Sequence, residues 1–378
     1  MTTLKKKGIK RMKNKMDSYL SQKIKYITAF ALLLIVYGHS YNFTDSTLAP
    51  TIRITEGFFA PAMFQYLISN EITPVALQLF LMISGFLFFY TYENTRKVYL
   101  KKLTSRLRSL LVPYIIWATF SGLLLTVLSY FEFTSKLPLV EGMGHDWAHF
   151  LMYYYMPPAF QLWFLRRLVE FVIISPILYV LIKKTKGFFL ILPALVWYFE
   201  FMVSGVVTFL YMFQGFFVFS LGGGIAILGK SHLCTRKATR KQTAVCVTFW
   251  LALCLLNTFI AALAEKGYAI DILMSLIGKS NIILGVISIW FLYDRIADKL
   301  VNSKLVNTIV SNSFFIYALH EPMQHLIYQS VLMMNDSTLV HMVLYIFLPI
   351  VIVTICVCIS MGLKKTCRKL YALLSGRR

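Results

Sequence analysis

Residues 24–43 read IKYITAFALLLIVYGHSYNF. A helix needs about 20 mostly apolar residues to cross a bilayer. This run supplies them, with Lys25 and His39 as its basic side chains. Ahead of it stand Lys5, Lys6, Lys7, Lys10, Arg11, Lys13 and Lys15. A basic start before an apolar run imitates a secretory leader, but the run is too long and no small-x-small cleavage site follows. The expectation is an uncleaved first span behind a basic tail of residues 1–23. His39 is the oddity, because an imidazole inside a span needs either a partner or a chemical role.

Composition extends that reading to the whole chain. Of 378 residues, 58% are hydrophobic and 14% charged, and the mean hydropathy is +0.68. Soluble domains carry about 25% charged residues, so lipid must cover what polar surface cannot. The net charge of +22 would suit nucleic acid if it gathered on one soluble face. Instead it lies in short clusters between apolar runs, as in loops that face anionic lipid. Membrane lipid is the expected partner, and nucleic acid is not. The six cysteines, Cys234, Cys246, Cys254, Cys356, Cys358 and Cys367, form no C-x-x-C pair and no metal-ligand spacing. Neither a disulfide framework nor a metal is expected.

Runs of spanning length occur at about 24–43, 74–92, 111–131, 162–182, 188–203, 206–228, 243–264, 272–293, 307–332 and 338–362. The fold class is therefore all-α: a polytopic membrane protein of ten transmembrane helices. Alternate connections are basic: Arg96 to Arg108, Lys183 to Lys186, Lys230 to Lys241, Arg295 to Lys304, and Lys364 to Arg378. The opposite set holds only Arg53, Lys136 and Lys266 among several acids. By the positive-inside rule both termini are cytoplasmic. Residues 24–363 would form the membrane domain and 364–378 a second basic tail. The longest external connection, about residues 132–161, is aromatic with a Pro-Pro break, suiting either a helix on the membrane surface or a lid over a site.

Ionisable groups inside spans are costly and usually face a protein interior or a wet cavity. His39 sits late in an outward-running span. QLWFLRRLVEF (161–171) places Trp163, Arg166, Arg167 and Glu170 at similar depth, and SNSFFIYALHEPMQH (311–325) adds Asn312, Tyr317, His320 and Glu321. Gln78, Ser84, Glu200 and Gln214 lie in the same layer, which suggests one cavity. Arg166 and Arg167 point about 100° apart, so only one faces it squarely, and Arg166 is expected to. Glu170, one turn below, could simply pair with Arg166, and His-Glu-Pro could simply mark a kink at Pro322. Gly222, Gly223 and Gly224, like Gly85 beside Ser84, suit close helix packing. KKLTSRLRSLLVPY (101–114) presents Lys102, Arg106 and Arg108, which suit either anionic lipid or the phosphates of a cytosolic donor.

Taken together, AFALLLIVYGH, LFLMISGFLF, YLKKLTSRLRSLLVPYIIW, QLWFLRRL, FFVFSLG and SNSFFIYALHEP resemble the acyltransferase-3 family of integral membrane O-acyltransferases, over about residues 24–325. The resemblance implies acyl transfer, most often of acetyl from acetyl-CoA, to a hydroxyl of an exported glycan or other envelope molecule. It also implies work alongside other envelope-biosynthesis proteins in the cytoplasmic membrane. It carries the family's proposed catalytic histidine onto His39 and its basic motif onto Arg106 and Arg108. One departure stands out: the family has an arginine eleven positions before that histidine, where this chain has Thr28.

The expected mechanism makes His39 the general base, with Arg166 or His320 stabilising the oxyanion or orienting the acceptor. Trp163, Ser84, Tyr317 and Glu321 would bind substrate. Arg106, Arg108 and Lys102 would hold the acyl-CoA phosphates. The rival expectation is a transporter or exporter of a glycan or small polar solute, using the same polar layer without chemistry. No inverted repeat of the kind many transporters show is visible.

Overall fold

The computed structural model describes residues 16–40, 60–141, 143, 146–199, 215–263 and 268–376, and among them there is no strand. Asp17 accepts from the Leu20 amide and starts α1, Ser18–Gly38. The first helix thus takes in residues that the sequence assigns to the tail. Lys23 explains why: its ammonium is buried 2.6 Å from Asp294 and lies 4.8 Å from the Trp290 ring. A buried charge is tolerated only when paired.

α2 (Ala60–Tyr90) and α3 (Arg96–Leu128) follow. Each contains a π-helical stretch, Leu67–Ile72 and Leu107–Leu111. Each stretch lies just ahead of a proline, Pro74 or Pro113, whose missing N–H breaks the regular ladder. Next come α4 (Trp147–Tyr155), α5 (Trp163–Lys184), α6 (Ile191–Tyr198), α7 (Phe216–Ile227), α8 (Arg240–Leu263) and α9 (Tyr268–Asn302). The chain continues through α10 (Lys304–Leu332), α11 (Thr338–Thr366) and the short α12 (Arg368–Leu374).

Among the described residues, six helices are long and apolar enough to cross a membrane: α1, α2, α3, α8, α9 and α11. The sequence suggests ten. α5 and α10 have the length, 22 and 29 residues, but their intramembrane polar residues dilute the hydropathy. α6 and α7 are shorter apolar helices flanking residues 200–214, which lie outside the described residues together with Glu200 and Gln214.

Glycines set the tightest contact, between α2 and α7. A Cβ on Gly85 would stand 2.0 Å from the Phe219 carbonyl oxygen, and one on Gly222 1.9 Å from that of Met82. Backbone therefore lies against backbone, the close packing that small residues permit. Gly85→Val is expected to force the helices apart and destabilise the bundle by about 1–3 kcal/mol, read as a lower melting temperature in detergent.

The aromatic connection packs one face on the bundle and leaves Leu151, Met152 and Tyr155 exposed. α4 runs alongside α3, with Tyr153 against Gly122, the Tyr154 hydroxyl 2.8 Å from that of Thr119, and Tyr114 donating to the Tyr154 carbonyl. Pro157 and Pro158 then turn the chain into α5. In α10, Glu321 leaves the helical region (φ −107, ψ 140) just before Pro322. A proline disfavours helical geometry in the residue before it, and that break turns the Glu321 side chain toward α1.

Candidate active site

α1 presents Thr28, Leu32, Ile35 and His39 at helical spacing along one stripe. Two cavities lie along it. The one toward Arg106 has a volume of about 250 Å³ and is lined by Thr28, Leu32, Ser84, Arg106, Leu168 and Ser313, among others. The second, about 290 Å³, is lined by Ile35, His39, Thr73, Leu77, Gln161 and Trp163. Phe80, Phe164 and Tyr317 line both. Arg106 in turn borders a third pocket, an open one at the basic end of the bundle, with Lys101, Thr104, Ser105, Arg108 and Gly376. α1, α2, α3, α5 and α10, with Phe219 of α7, thus line a passage from a basic mouth on α3 to His39.

His39 is not isolated. Its Nδ1 lies 3.0 Å from His320 Nε2, and the rings stack with centroids 5.1 Å apart. His320 is fully buried, and its Nδ1 lies 2.9 Å from the Tyr317 carbonyl oxygen and 3.1 Å from that of Ile316. Carbonyl oxygens only accept, so His320 Nδ1 carries the hydrogen and Nε2 of the neutral ring carries the lone pair. His39 Nδ1 must then donate to it. That leaves His39 Nε2, to which no described residue hydrogen-bonds, as the basic nitrogen. A backbone carbonyl thus fixes two tautomers in series, the kind of outer support that orients a catalytic imidazole.

Glu321 sits on the other side, with Oε1 3.9 Å from His39 Nδ1 and Oε2 2.8 Å from His325 Nδ1. Its carboxylate is buried and can balance a positive charge arising on His39. Side-chain amides tie the frame around this group to the backbone. Gln161 donates to the carbonyls of Tyr317, Ala318 and Glu321, Tyr317 donates back to the Gln161 carbonyl, and Gln324 donates to the Val36 carbonyl and to Ser40. The Phe160 ring closes the far side, 4.7 Å from His39 between centroids.

The imidazole pair and the carboxylate thus stand at the far end of these cavities from the basic mouth. A family model for an acyltransferase domain, acyltransferase-3, matches residues 22–363, nearly the whole chain. The chain belongs to the acyltransferase-3 family. No curated protein and no solved structure gave a match.

In this membrane acyltransferase the expected residues fall into three groups. His39, His320 and Glu321 are together, and Trp163 and Tyr317 line the cavity that His39 borders. Ser84 lines the neighbouring cavity with Arg106, while Arg108 reaches only the mouth. Arg166 and Lys102 are elsewhere. Arg166, expected to face the cavity, donates to the Tyr155 carbonyl, lies over the Tyr155 ring at 4.6 Å and sits 3.7 Å from Glu170. Its helical position turns it toward α4, where it satisfies the last carbonyl of that helix. Lys102 likewise donates to the Phe88 carbonyl and the Thr91 hydroxyl, closing the end of α2 instead of lining the mouth. Lys101 lines it instead.

Asn312 also has a local task, accepting from Ser360 at 2.6 Å and Lys364 at 2.7 Å. Four residues were not singled out from sequence: Phe160, Gln161, Gln324 and His325. Only His325 left a readable signal, one helical turn after Glu321. At the family's arginine position, Thr28 returns its hydroxyl to the Ile24 carbonyl at 2.7 Å. The guanidinium in that cavity comes from Arg106.

Arg166→Ala is expected to release the end of α4 and with it Phe160. Misplacement of a group packed on the His39 ring can cost up to about 10²-fold in rate. The expected reading is a lower kcat at unchanged donor KM.

Proposed function

We propose that the protein is an O-acyltransferase of the cytoplasmic membrane, with ten spans and both termini in the cytoplasm. It would move a short acyl group, acetyl foremost, from cytosolic acyl-CoA to a hydroxyl of an exported or cell-surface glycan. The observation that carries this reading is the passage from the Arg106 and Arg108 mouth to His39. Arginine forks match phosphate oxygens, and the cavity beyond them is narrow and mostly apolar, as a pantetheine arm requires. Lys102 and Arg166, committed elsewhere, are not assigned to substrate.

In this mechanism His39 Nε2 takes the proton of the acceptor hydroxyl as its oxygen bonds to the thioester carbon. The C–S bond breaks, and the imidazolium returns the proton to sulfur, giving the ester and the CoA thiol. His320 accepts from His39 throughout and Glu321 offsets the transient charge. Trp163, whose indole N–H is uncommitted among the described residues, is assigned to the acceptor or the carbonyl oxygen. Tyr317 holds Gln161 and shapes the cavity, while Ser84 borders the donor arm. A mass spectrum of the envelope sugars with and without the gene tests the reading. It predicts loss of an acyl ester on deletion, and identical spectra would contradict it.

A further inference from the structure

We propose that Phe164, closing on Phe80 and Tyr317, forms an aromatic collar that sets which acyl groups reach His39 and keeps acceptor-side water from the donor passage. This rests on the acyl-CoA reading above.

Among the described residues, these three rings are the lining that the two cavities share. Phe164 touches its neighbours edge-on, at 5.9 Å from Phe80, 6.2 Å from Trp163 and 6.3 Å from Tyr317 between centroids. Edge-on pairs are a preferred aromatic geometry. The rings differ in freedom. Tyr317 is fixed, since its hydroxyl donates to the Gln161 carbonyl and its own carbonyl receives His320 Nδ1. Phe80 and Phe164 have no polar tether, and both are half-buried. The movable part of the collar is therefore the phenylalanine pair, with Phe164 the common neighbour.

Two consequences follow. The cavity beyond the collar, about 290 Å³, must hold the acyl group and the acceptor hydroxyl together. Pockets for a single ligand run from about 300 to 1,000 Å³, so only a short acyl group leaves space for the acceptor. The collar also stands between the acceptor side and the thioester. Without it, a water oxygen could bond to the carbonyl carbon as the C–S bond breaks. His39 would carry the proton from water to sulfur, releasing free acid and CoA thiol.

The test is CoA thiol release by the purified full-length protein in detergent, with acetyl-, butyryl- and octanoyl-CoA and no acceptor. Each extra methylene in an apolar pocket discriminates by about 10–200-fold. Wild type should release thiol slowly from acetyl-CoA and least from octanoyl-CoA. Phe164→Ala should raise release at least about 10-fold and bring octanoyl-CoA to within that factor of acetyl-CoA. Phe164→Trp should shift the other way, losing butyryl-CoA while keeping acetyl-CoA, and it decides the matter if the alanine variant does not fold. Adding His39→Ala to Phe164→Ala should abolish the release. Wild-type release with unaltered chain preference in the folded variants overturns the collar alone. Absence of release from wild type and variants overturns the acyl-CoA reading and the collar with it.

Discussion

His39→Ala is expected to abolish acyl esters on the envelope sugars while the protein still accumulates in the membrane. A positioned general base contributes about 10²–10⁴ in rate, the role proposed for His39 Nε2. Removing this side chain, only 18% exposed, leaves the buried His320 Nε2 without its donor, so a stability cost of about 1–3 kcal/mol is expected as well. Mass spectrometry of the sugars, beside an immunoblot of the membrane fraction, separates lost chemistry from lost protein. Full acylation in this variant would remove His39 from the mechanism.

The second large effect is expected at the mouth. Arg106→Ala should raise the KM for acyl-CoA by about 10–100-fold, because a hydrogen bond to a charged group contributes about 1.5–3 kcal/mol. The kcat should hold, since Arg106 is remote from the reacting carbon. Arg106→Lys should recover only part of the affinity, as an ammonium lacks the planar fork. Arg108→Ala should cost less, because Arg108 borders only the open outer pocket. An equal loss in kcat, or no change in KM, would show that the donor does not enter past Arg106.

What could be read from the sequence follows the physics of each element. The helical class was plain because apolar runs of spanning length admit few alternatives in lipid. α5 and α10 have spanning length in the structure, but the polar residues they carry keep them below the hydropathy of the six candidate spans. His39, His320 and Glu321 were visible because ionisable groups within apolar helices are costly. Direction within a helix was harder. The partner of Arg166 is the Tyr155 carbonyl, and a backbone group leaves no mark in the sequence. Lys102 failed for the same reason, bound to the Phe88 carbonyl. Phe160 and Gln161 reach the site because Pro157 and Pro158 return the chain beside α3, a tertiary arrangement that periodicity does not encode. The π-helical stretches before Pro74 and Pro113 shift the register of α2 and α3, so face assignments made by even counting drift there.

The most direct measurement is the fate of labelled acetyl-CoA given to the purified protein in detergent with an extract of envelope glycan. The account predicts that label moves onto the glycan with release of CoA thiol, and that His39→Ala stops both. A folded protein that binds the glycan but leaves acetyl-CoA intact would contradict it and point to transport without chemistry.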